Sequence, residues 1–181
     1  MSYYDLKFPH LRMAKNPHER EANCAQAYNA PFMVVGPQSP LNWLKAVEEM
    51  AGYFKRELQF DFLTFTAHER LHPEFQRDRV LVFYKEAILE HKPTPKNPKD
   101  FTKAYTFFGA IGVRWRQWEN APAVWSFPWV WLHPYERRQG HLTKAWPFLL
   151  KMFPNPAVEA PISPAMTGFL KKVGYTKSAR P

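Results

Sequence analysis

A basic turn with a single glycine follows an apolar, strand-like segment in VWLHPYERRQGHLTKAW, residues 130–146. A helix that begins near Gly140 would point unpaired backbone N–H groups and the positive end of its dipole towards this turn. Glycine lets a backbone approach an anion closely, and Arg137 and Arg138 bring positive charge. This order predicts a phosphate-binding loop, in which Thr143 can donate a further hydrogen bond. A solvated turn that only starts a helix is the alternative.

The charge of the chain is unevenly distributed. The formal net charge is +9, and after Glu119 the carboxylates are Glu136 and Glu159. The lysines and arginines in the same part of the chain are Arg137, Arg138, Lys144, Lys151, Lys171, Lys172, Lys177 and Arg180. A basic half of this kind attracts phosphates, either on a nucleotide cofactor or on a nucleic-acid backbone.

The bulk composition narrows the class of protein. A length of 181 residues indicates one domain with a sizeable core, and 45% hydrophobic residues argue against disorder. Cys24 is the single cysteine, which excludes an internal disulfide and a multi-cysteine metal site. The first residues, MSYYDLKFPH, lack the apolar core of a secretory signal, and no run reaches the roughly 18 apolar residues of a membrane span. We therefore expect a reduced, cytoplasmic protein that makes no membrane contact and binds no metal.

The first hundred residues give few structural signals. The clearest is a helix over residues 39–58, with Ser39 placed to cap it. Alternation predicts a strand over residues 59–67, and β-branched and aromatic residues predict another over residues 79–84. A short helix over residues 17–28 and a proline-lysine loop over residues 91–100 are further predictions.

The elements of the second half alternate between strand and helix. Two long strand candidates, residues 105–118 and 123–134, are joined by a short hairpin connection. Pro128 cannot donate to a ladder, so the second strand should bulge or splay there. A helix from Gly140 to about Met152, which Pro147 should kink or interrupt, and a short strand over AVEAPI follow. A last helix is capped by Ser163 and stopped by Gly174. The order predicts an α/β or α+β domain.

Two motifs in this half resemble those of the GNAT superfamily of N-acetyltransferases. Its acyl-CoA signature is R/Q-x-x-G-x-G/A, in which Arg137 matches the first position and Gly140 the glycine. Leu142 stands where the pattern has Gly or Ala. Downstream, SPAMTGFLKKVGY is similar to the family's N-x-x-A-x-x-F-Y-x-x-x-G-F helix, with these residues in register: Ser163, Phe169, Gly174 and Tyr175. The segment FFGAIGVRW also looks like a family strand, so the resemblance covers roughly residues 105–176.

The resemblance implies a fold and a ligand. The fold would be a mixed, mostly antiparallel central sheet flanked by helices and splayed between strands four and five. Residues 1–181 would form one domain, with an acceptor-side half (1–100) and an acyl-CoA-binding half (101–181). Acetyl-CoA would lie in the splayed cleft. The implied cofactor-binding residues are Val130, Trp131, Leu132, Arg137, Arg138, Gln139, Gly140, His141, Leu142, Thr143 and Ser163.

The implied activity is transfer of an acetyl group to an amine, but the catalytic residues are not evident. Many family members use a tyrosine where this chain has Leu170, and strand four, residues 124–132, contains no carboxylate. The candidates for acid and base are Ser163, Tyr175 and Glu119. The basic charge favours an anionic macromolecular acceptor, such as RNA, DNA or an acidic protein. A CoA-binding protein without catalysis and a basic nucleic-acid-binding protein are the alternatives.

Three further features are predicted to be structural. HERLH, residues 68–72, satisfies the zinc motif H-E-x-x-H, but Pro73 disfavours helical geometry at His72, so we predict a polar turn. His141 is expected to be solvated, and His133 and Glu136 to be structural or solvated. The tryptophans of the central hairpin should alternate into the core, or else form an aromatic wall that stacks on a base or a flat amine: Trp115, Trp118, Trp125, Trp129 and Trp131.

Overall fold

The computed structural model describes residues 10–12, 31–68, 72–90 and 101–175. Within these ranges the fold is mixed α+β, as predicted. Its strands and helices, in chain order, are β1 (His10–Arg12), β2 (Met33–Val35), α1 (Leu41–Leu58), β3 (Arg79–Glu90), β4 (Phe101–Arg116), β5 (Val124–Phe127), β6 (Val130–Leu132), α2 (His141–Met152), β7 (Ala157–Val158) and α3 (Pro164–Lys172).

The sheet is mostly antiparallel. Its main order is β2-β3-β4-β5-β7, and both β1 and β6 also pair with β4. The β5–β7 pair is parallel, and every other pair is antiparallel. The single long strand predicted over residues 123–134 is divided into β5 and β6. The break lies at Pro128, which confirms the interruption predicted there.

Helices cover both faces of the sheet. The apolar residues of α1 recur at helical spacing and pack on one face, against Trp129 and Trp131, which are core residues as predicted. Helices α2 and α3 cover the other face, where Phe127 and Ile111 are fully buried. Trp115 departs from the predicted pattern because it is 38% exposed. In the described ranges, no helix combines the length and apolar character needed to cross a membrane.

Two local predictions in the first half are wrong. Ser39 does not cap α1, because its Oγ accepts a hydrogen bond from the Gly36 amide (3.0 Å) and Pro40 holds the cap position. Residues 59–67 form no strand. The carbonyl of Thr64 instead accepts from the Arg114 side chain (2.5 Å), so a side chain takes the place of a ladder partner. The predicted helix over 17–28 and loop over 91–100 lie outside the described residues.

Gly112 on β4 is required by the packing of Trp129, which gives a first prediction. A Cβ at Gly112 would lie 2.2 Å from Nε1 and 2.5 Å from Cδ1 of that buried indole. We expect Gly112→Ala to lower the free energy of unfolding by about 1–3 kcal/mol, the usual cost of overpacking. Gly52→Ala in α1 is the matched control, since its Cβ would meet only Leu63 at 4.0 Å. That change should stabilise by about 0.5–1 kcal/mol. Urea unfolding of both variants measures the difference, and equal effects would contradict the packing argument.

Candidate functional site

The sheet opens at Pro128, which separates β5 from β6. Before the break, β5 pairs with β7, and the Glu159 amide still donates to the Phe127 carbonyl (3.2 Å). After the break, β6 pairs with β4 alone among the described strands. The splay predicted between strands four and five is therefore present, with β5 and β6 as strand four and β7 as strand five.

The backbone of β6 has groups that face the opening. The Trp129 carbonyl accepts from the Gly112 amide (3.0 Å), and the His133 amide donates to the Phe108 carbonyl (2.8 Å). In an antiparallel pair, alternate residues make these bonds. The amide and carbonyl of Val130 therefore point away from β4, towards an edge that no described strand covers.

A cleft of about 790 Å³ lies at this opening. Its volume falls within the range of ligand-binding pockets, roughly 300–1,000 Å³. The cleft is bounded by β6, the loop before α2, the N-terminal ends of α2 and α3, and the C-terminal end of α1. It is lined by all but one of the residues predicted to bind the cofactor: Val130, Trp131, Leu132, Arg137, Arg138, Gly140, His141, Leu142, Thr143 and Ser163.

The loop before α2 presents backbone N–H groups to the cleft. Arg138 (φ 62°) and Gly140 (φ 80°) both adopt left-handed backbone geometry. The Lys144 amide donates to the Gly140 carbonyl (2.9 Å), so the amides of residues 141–143 precede the first intrahelical bond of α2. A Cβ added at Gly140 would meet no atom within 4 Å. Open space thus lies beside unpaired amides and the positive helix end, which is the arrangement that binds an anion.

Arg137 lines the cleft, as the other predicted cofactor-binding residues of the loop do, and it also makes three hydrogen bonds within the protein. Its Nη1 and Nη2 donate to Oε1 (2.6 Å) and Oε2 (2.5 Å) of Glu57, and its Nε donates to the Leu132 carbonyl (2.9 Å). Trp131 Nε1 also donates to Glu57 (3.1 Å). Arg137 therefore joins the loop to α1 and β6, and its positive charge is balanced by Glu57. Sequence reasoning missed Glu57, because the two residues are 80 positions apart.

His141 is less solvated than predicted, with 22% of its side chain exposed. Its Nε2 lies 3.1 Å from Glu136 Oε2, and its ring packs on Phe108 with centroids 4.7 Å apart. Glu136 is buried and also accepts from Lys85 Nζ at 2.5 Å. These contacts give Glu136 a structural part, as expected, and fix the first residue of α2 beneath the loop. His141 also lines the cleft.

Two further cations at the cleft are Arg138 and Lys172. Both line it, and neither forms an ion pair with a carboxylate in the described part of the chain. The carboxylates of the cleft, Glu57 and Glu136, are each paired with a basic side chain. Gln139 turns its side chain away, donating from Nε2 to the Tyr135 carbonyl (2.6 Å). The cleft therefore favours an anionic ligand.

The chain matches no protein-family model and no curated protein sequence. Its resemblance to the GNAT superfamily therefore depends on the two motifs and the strand segment described above.

One of the three candidate catalytic residues reaches the cleft. Ser163 lines it, and its Oγ accepts from the Met166 amide (3.2 Å) as the cap of α3. Tyr175 lies elsewhere, with its hydroxyl donating to the Pro156 carbonyl and its ring packed on Trp146. Burial raises the pKa of Tyr175, which keeps its proton in place. Glu119 is exposed in the hairpin between β4 and β5, outside the cleft.

A carboxylate that sequence reasoning missed lies at the splay. Glu159 follows β7, and its Oε1 accepts from Ser126 Oγ (2.5 Å) and Arg116 Nε (3.2 Å). Its side chain is largely buried and lines the narrow gap between Pro128 and Ile162. Strand four has no carboxylate of its own, but strand five brings one next to it.

The position that carries a tyrosine in many family members is buried. Leu170 belongs to the core cluster on the α2–α3 face. We expect Leu170→Tyr to place a hydroxyl among apolar side chains and to cost about 1–3 kcal/mol in the free energy of unfolding. Thr167→Tyr, at an exposed position of the same helix, is the control and should be near neutral. Thermal or urea unfolding compares the two, and an unchanged Leu170→Tyr variant would show that the site has room for the ring.

The described residues of the H-E-x-x-H pattern do not form a metal site. Residues 69–71 lie outside those ranges. His72 has extended geometry (φ −85°, ψ 132°) before Pro73, and its Nδ1 lies 3.9 Å from Oε2 of Glu74, on an exposed surface. Among the described residues, no group of three or more His, Cys, Asp or Glu side chains could hold a metal ion.

Proposed function

We propose that the protein is an acetyl-CoA-dependent N-acyltransferase. The observation that carries the proposal is the interrupted pairing of strand four, which opens a cleft directly in front of the N-terminus of α2. The cleft offers a long ligand three successive environments: the free strand edge at Val130, the amides of residues 141–143, and the cations Arg138 and Lys172. This sequence of an edge, an anion cradle and positive charge suits a pantetheine arm followed by a pyrophosphate.

The residues present fit acetyl-CoA. The pyrophosphate would lie over Gly140, where a side chain is absent and nothing occupies the space. The amide groups of the pantetheine arm would hydrogen-bond to the Val130 backbone, as an added strand does at a sheet edge. Arg137 would hold the loop in shape through Glu57 without touching the phosphates.

The reaction would be direct acyl transfer. The amine of the acceptor attacks the thioester carbonyl, a C–N bond forms, the C–S bond breaks, and the CoA thiolate leaves. A backbone N–H at the splay would stabilise the oxyanion. Ser163 Oγ accepts the bond from Met166, so its own proton is available to donate to the thiolate. The amine nitrogen loses one proton as the amide forms, and that proton returns through solvent to Ser163 in place of the one given to the thiolate, so the products are the amide and the CoA thiol.

The acceptor that best fits the charge is an anionic macromolecule. The net charge is +9, and the cations of the second half outnumber its carboxylates. Long-range attraction of this sign concentrates nucleic acids and acidic proteins at the surface. We therefore place the acceptor amine on RNA, DNA or an acidic protein rather than on a polycation.

Calorimetric titration tests the proposal. Acetyl-CoA and CoA are titrated into the protein, with pantetheine as the matched ligand that lacks every phosphate. We expect micromolar binding of both CoA forms and a loss of about 100-fold for pantetheine, because the loop contacts are charge-assisted. Absence of binding at millimolar acetyl-CoA would refute the proposal.

A CoA-binding protein without catalysis is the second candidate. It is favoured by the buried Leu170, by the paired state of Glu57 and Glu136, and by the absence of a family-like base on strand four. Release of free CoA thiol in the presence of amine acceptors separates the two functions. Tight binding with no thiol release above the rate of thioester hydrolysis, for small amines, peptides and aminoacyl-RNA alike, would favour the binding protein.

A further inference from the structure

A second cleft of about 610 Å³ lies at the other end of the sheet. It is formed by the start of β3, the end of β4, the start of β5 and the C-terminal end of α2. Its lining residues are Val34, Arg77, Arg79, Trp115, Trp125, Met152 and Phe153. None of them lines the cleft proposed for acetyl-CoA, so the two sites are separate.

The second cleft has an aromatic wall that is open to solvent. Trp115 and Trp125 are direct partners on β4 and β5, with ring centroids 5.0 Å apart at 71°. Trp125 is held in turn by Phe153, with centroids 5.1 Å apart. Trp115 is 38% exposed, the largest exposed fraction for a tryptophan in the described ranges. A rigid, accessible indole provides a flat surface on which a planar ring can stack.

The same cleft carries the positive charge of two arginines that no described carboxylate pairs with. The Arg77 guanidinium lies over one face of the Trp115 ring, with its Cζ 5.8 Å from the ring centroid. Arg79 is fixed by donating from Nη1 to the carbonyls of Gln76 (2.9 Å) and Asp78 (2.8 Å). Neither arginine pairs with a carboxylate in the part of the chain that the structure describes, and no acidic residue is among the lining residues.

We propose that this second cleft binds a nucleotide unit of single-stranded nucleic acid. The base would stack on Trp115, and the adjoining phosphate would lie between Arg77 and Arg79. An acidic peptide would pair with the arginines but offers no base to stack on the indole, whereas a nucleotide can do both. The base must be unpaired, because the ring faces of a duplex are occupied by neighbouring bases. This inference goes beyond the acyltransferase proposal and does not depend on it.

Fluorescence anisotropy with a short, fluorescein-labelled single-stranded RNA tests the inference. Trp115→Ala should weaken binding about tenfold, and Trp115→Phe, which keeps a ring, should lose less. Arg77→Ala should lower the slope of log K against log salt by roughly one. The matched controls are Phe62→Ala, an exposed aromatic outside both clefts, and Lys45→Ala, an exposed cation on α1. Both controls should bind RNA with nearly the affinity of the unmodified protein. Circular dichroism confirms that each variant is folded.

Three results would overturn the inference. The first is Trp115→Ala binding RNA as tightly as Phe62→Ala does. The second is equal affinity for single-stranded and double-stranded RNA of the same sequence, which would indicate that the protein binds only the charge of the phosphate backbone. The third is loss of RNA binding in Gly140→Glu, which would place the RNA in the first cleft. If Gly140→Glu still binds RNA but no longer binds acetyl-CoA, both sites are supported. If the unmodified protein does not bind acetyl-CoA, the acyltransferase proposal fails, and the effect of Trp115→Ala on RNA binding still tests the second cleft.

Discussion

Replacing Gly140 by glutamate is expected to weaken acetyl-CoA binding by about 100-fold or more, because it places a carboxylate where the pyrophosphate would lie. A Cβ at this position meets no atom within 4 Å, so open space lies where the side chain of the glutamate begins. The added side chain would lie beside the amides of residues 141–143. Its carboxylate would accept hydrogen bonds from these amides in place of the pyrophosphate, and it would repel a phosphate. Isothermal titration with acetyl-CoA measures the loss.

Backbone strain is the competing explanation for such a loss, and the chain contains its own control. Gly140 has φ 80°, where a residue with a Cβ costs about 1–2 kcal/mol. Gly174 has φ 70°, a Cβ there would likewise meet no atom within 4 Å, and the residue does not line the cleft. Gly174→Glu therefore introduces the same charge and similar strain away from the loop. Equal acetyl-CoA affinity for the two variants would contradict the assignment of the loop as the phosphate site.

Features that depend on neighbours in sequence were predictable. Pro128 lacks an N–H wherever it lies, so the break in strand four follows from its identity. Ser163 caps α3 because a serine before a proline offers both an acceptor and the required geometry. Gly174 follows the end of α3 in left-handed geometry, as expected of a glycine that stops a helix. The general outline of the candidate cleft follows from these local rules.

Features that depend on distant partners were not predictable. Arg137 looked like a phosphate ligand because nothing near it in sequence indicates that Glu57 lies opposite. His141 was predicted to be solvated because nothing near it in sequence indicates its surroundings. Phe108 and Lys85 reach those surroundings from other strands. The strand predicted over residues 59–67 failed for the same reason, since a side chain of β4 takes one of its carbonyls. An amphipathic pattern records which side chains can be buried, but it does not record which groups will pair.

The Glu57–Arg137 pair predicts a second large effect, on stability. Glu57 accepts two bonds from Arg137 and one from Trp131 Nε1, so a single carboxylate joins α1, β6 and the loop. Its side chain is 23% exposed and that of Arg137 36%, so solvent screens the pair in part. We expect Glu57→Ala to lower the free energy of unfolding by about 2–3 kcal/mol, the scale of losing hydrogen bonds to a charged group. The same change should weaken acetyl-CoA binding several-fold, because the loop loses its attachment to α1.

Urea unfolding, with a double-mutant cycle, separates the pair from the general effect of removing a charge. Glu48→Ala, on the same helix and without a described partner, is the control and should cost less than about 0.5 kcal/mol. Arg137→Ala alone should also destabilise, because it leaves the Glu57 carboxylate without its cation. In the double variant neither partner is left unpaired, so its destabilisation should fall short of the sum of the single changes by about 1–2 kcal/mol. Strict additivity, or a Glu57→Ala variant no less stable than Glu48→Ala, would mean that the pair contributes nothing and that the loop is held by its backbone alone.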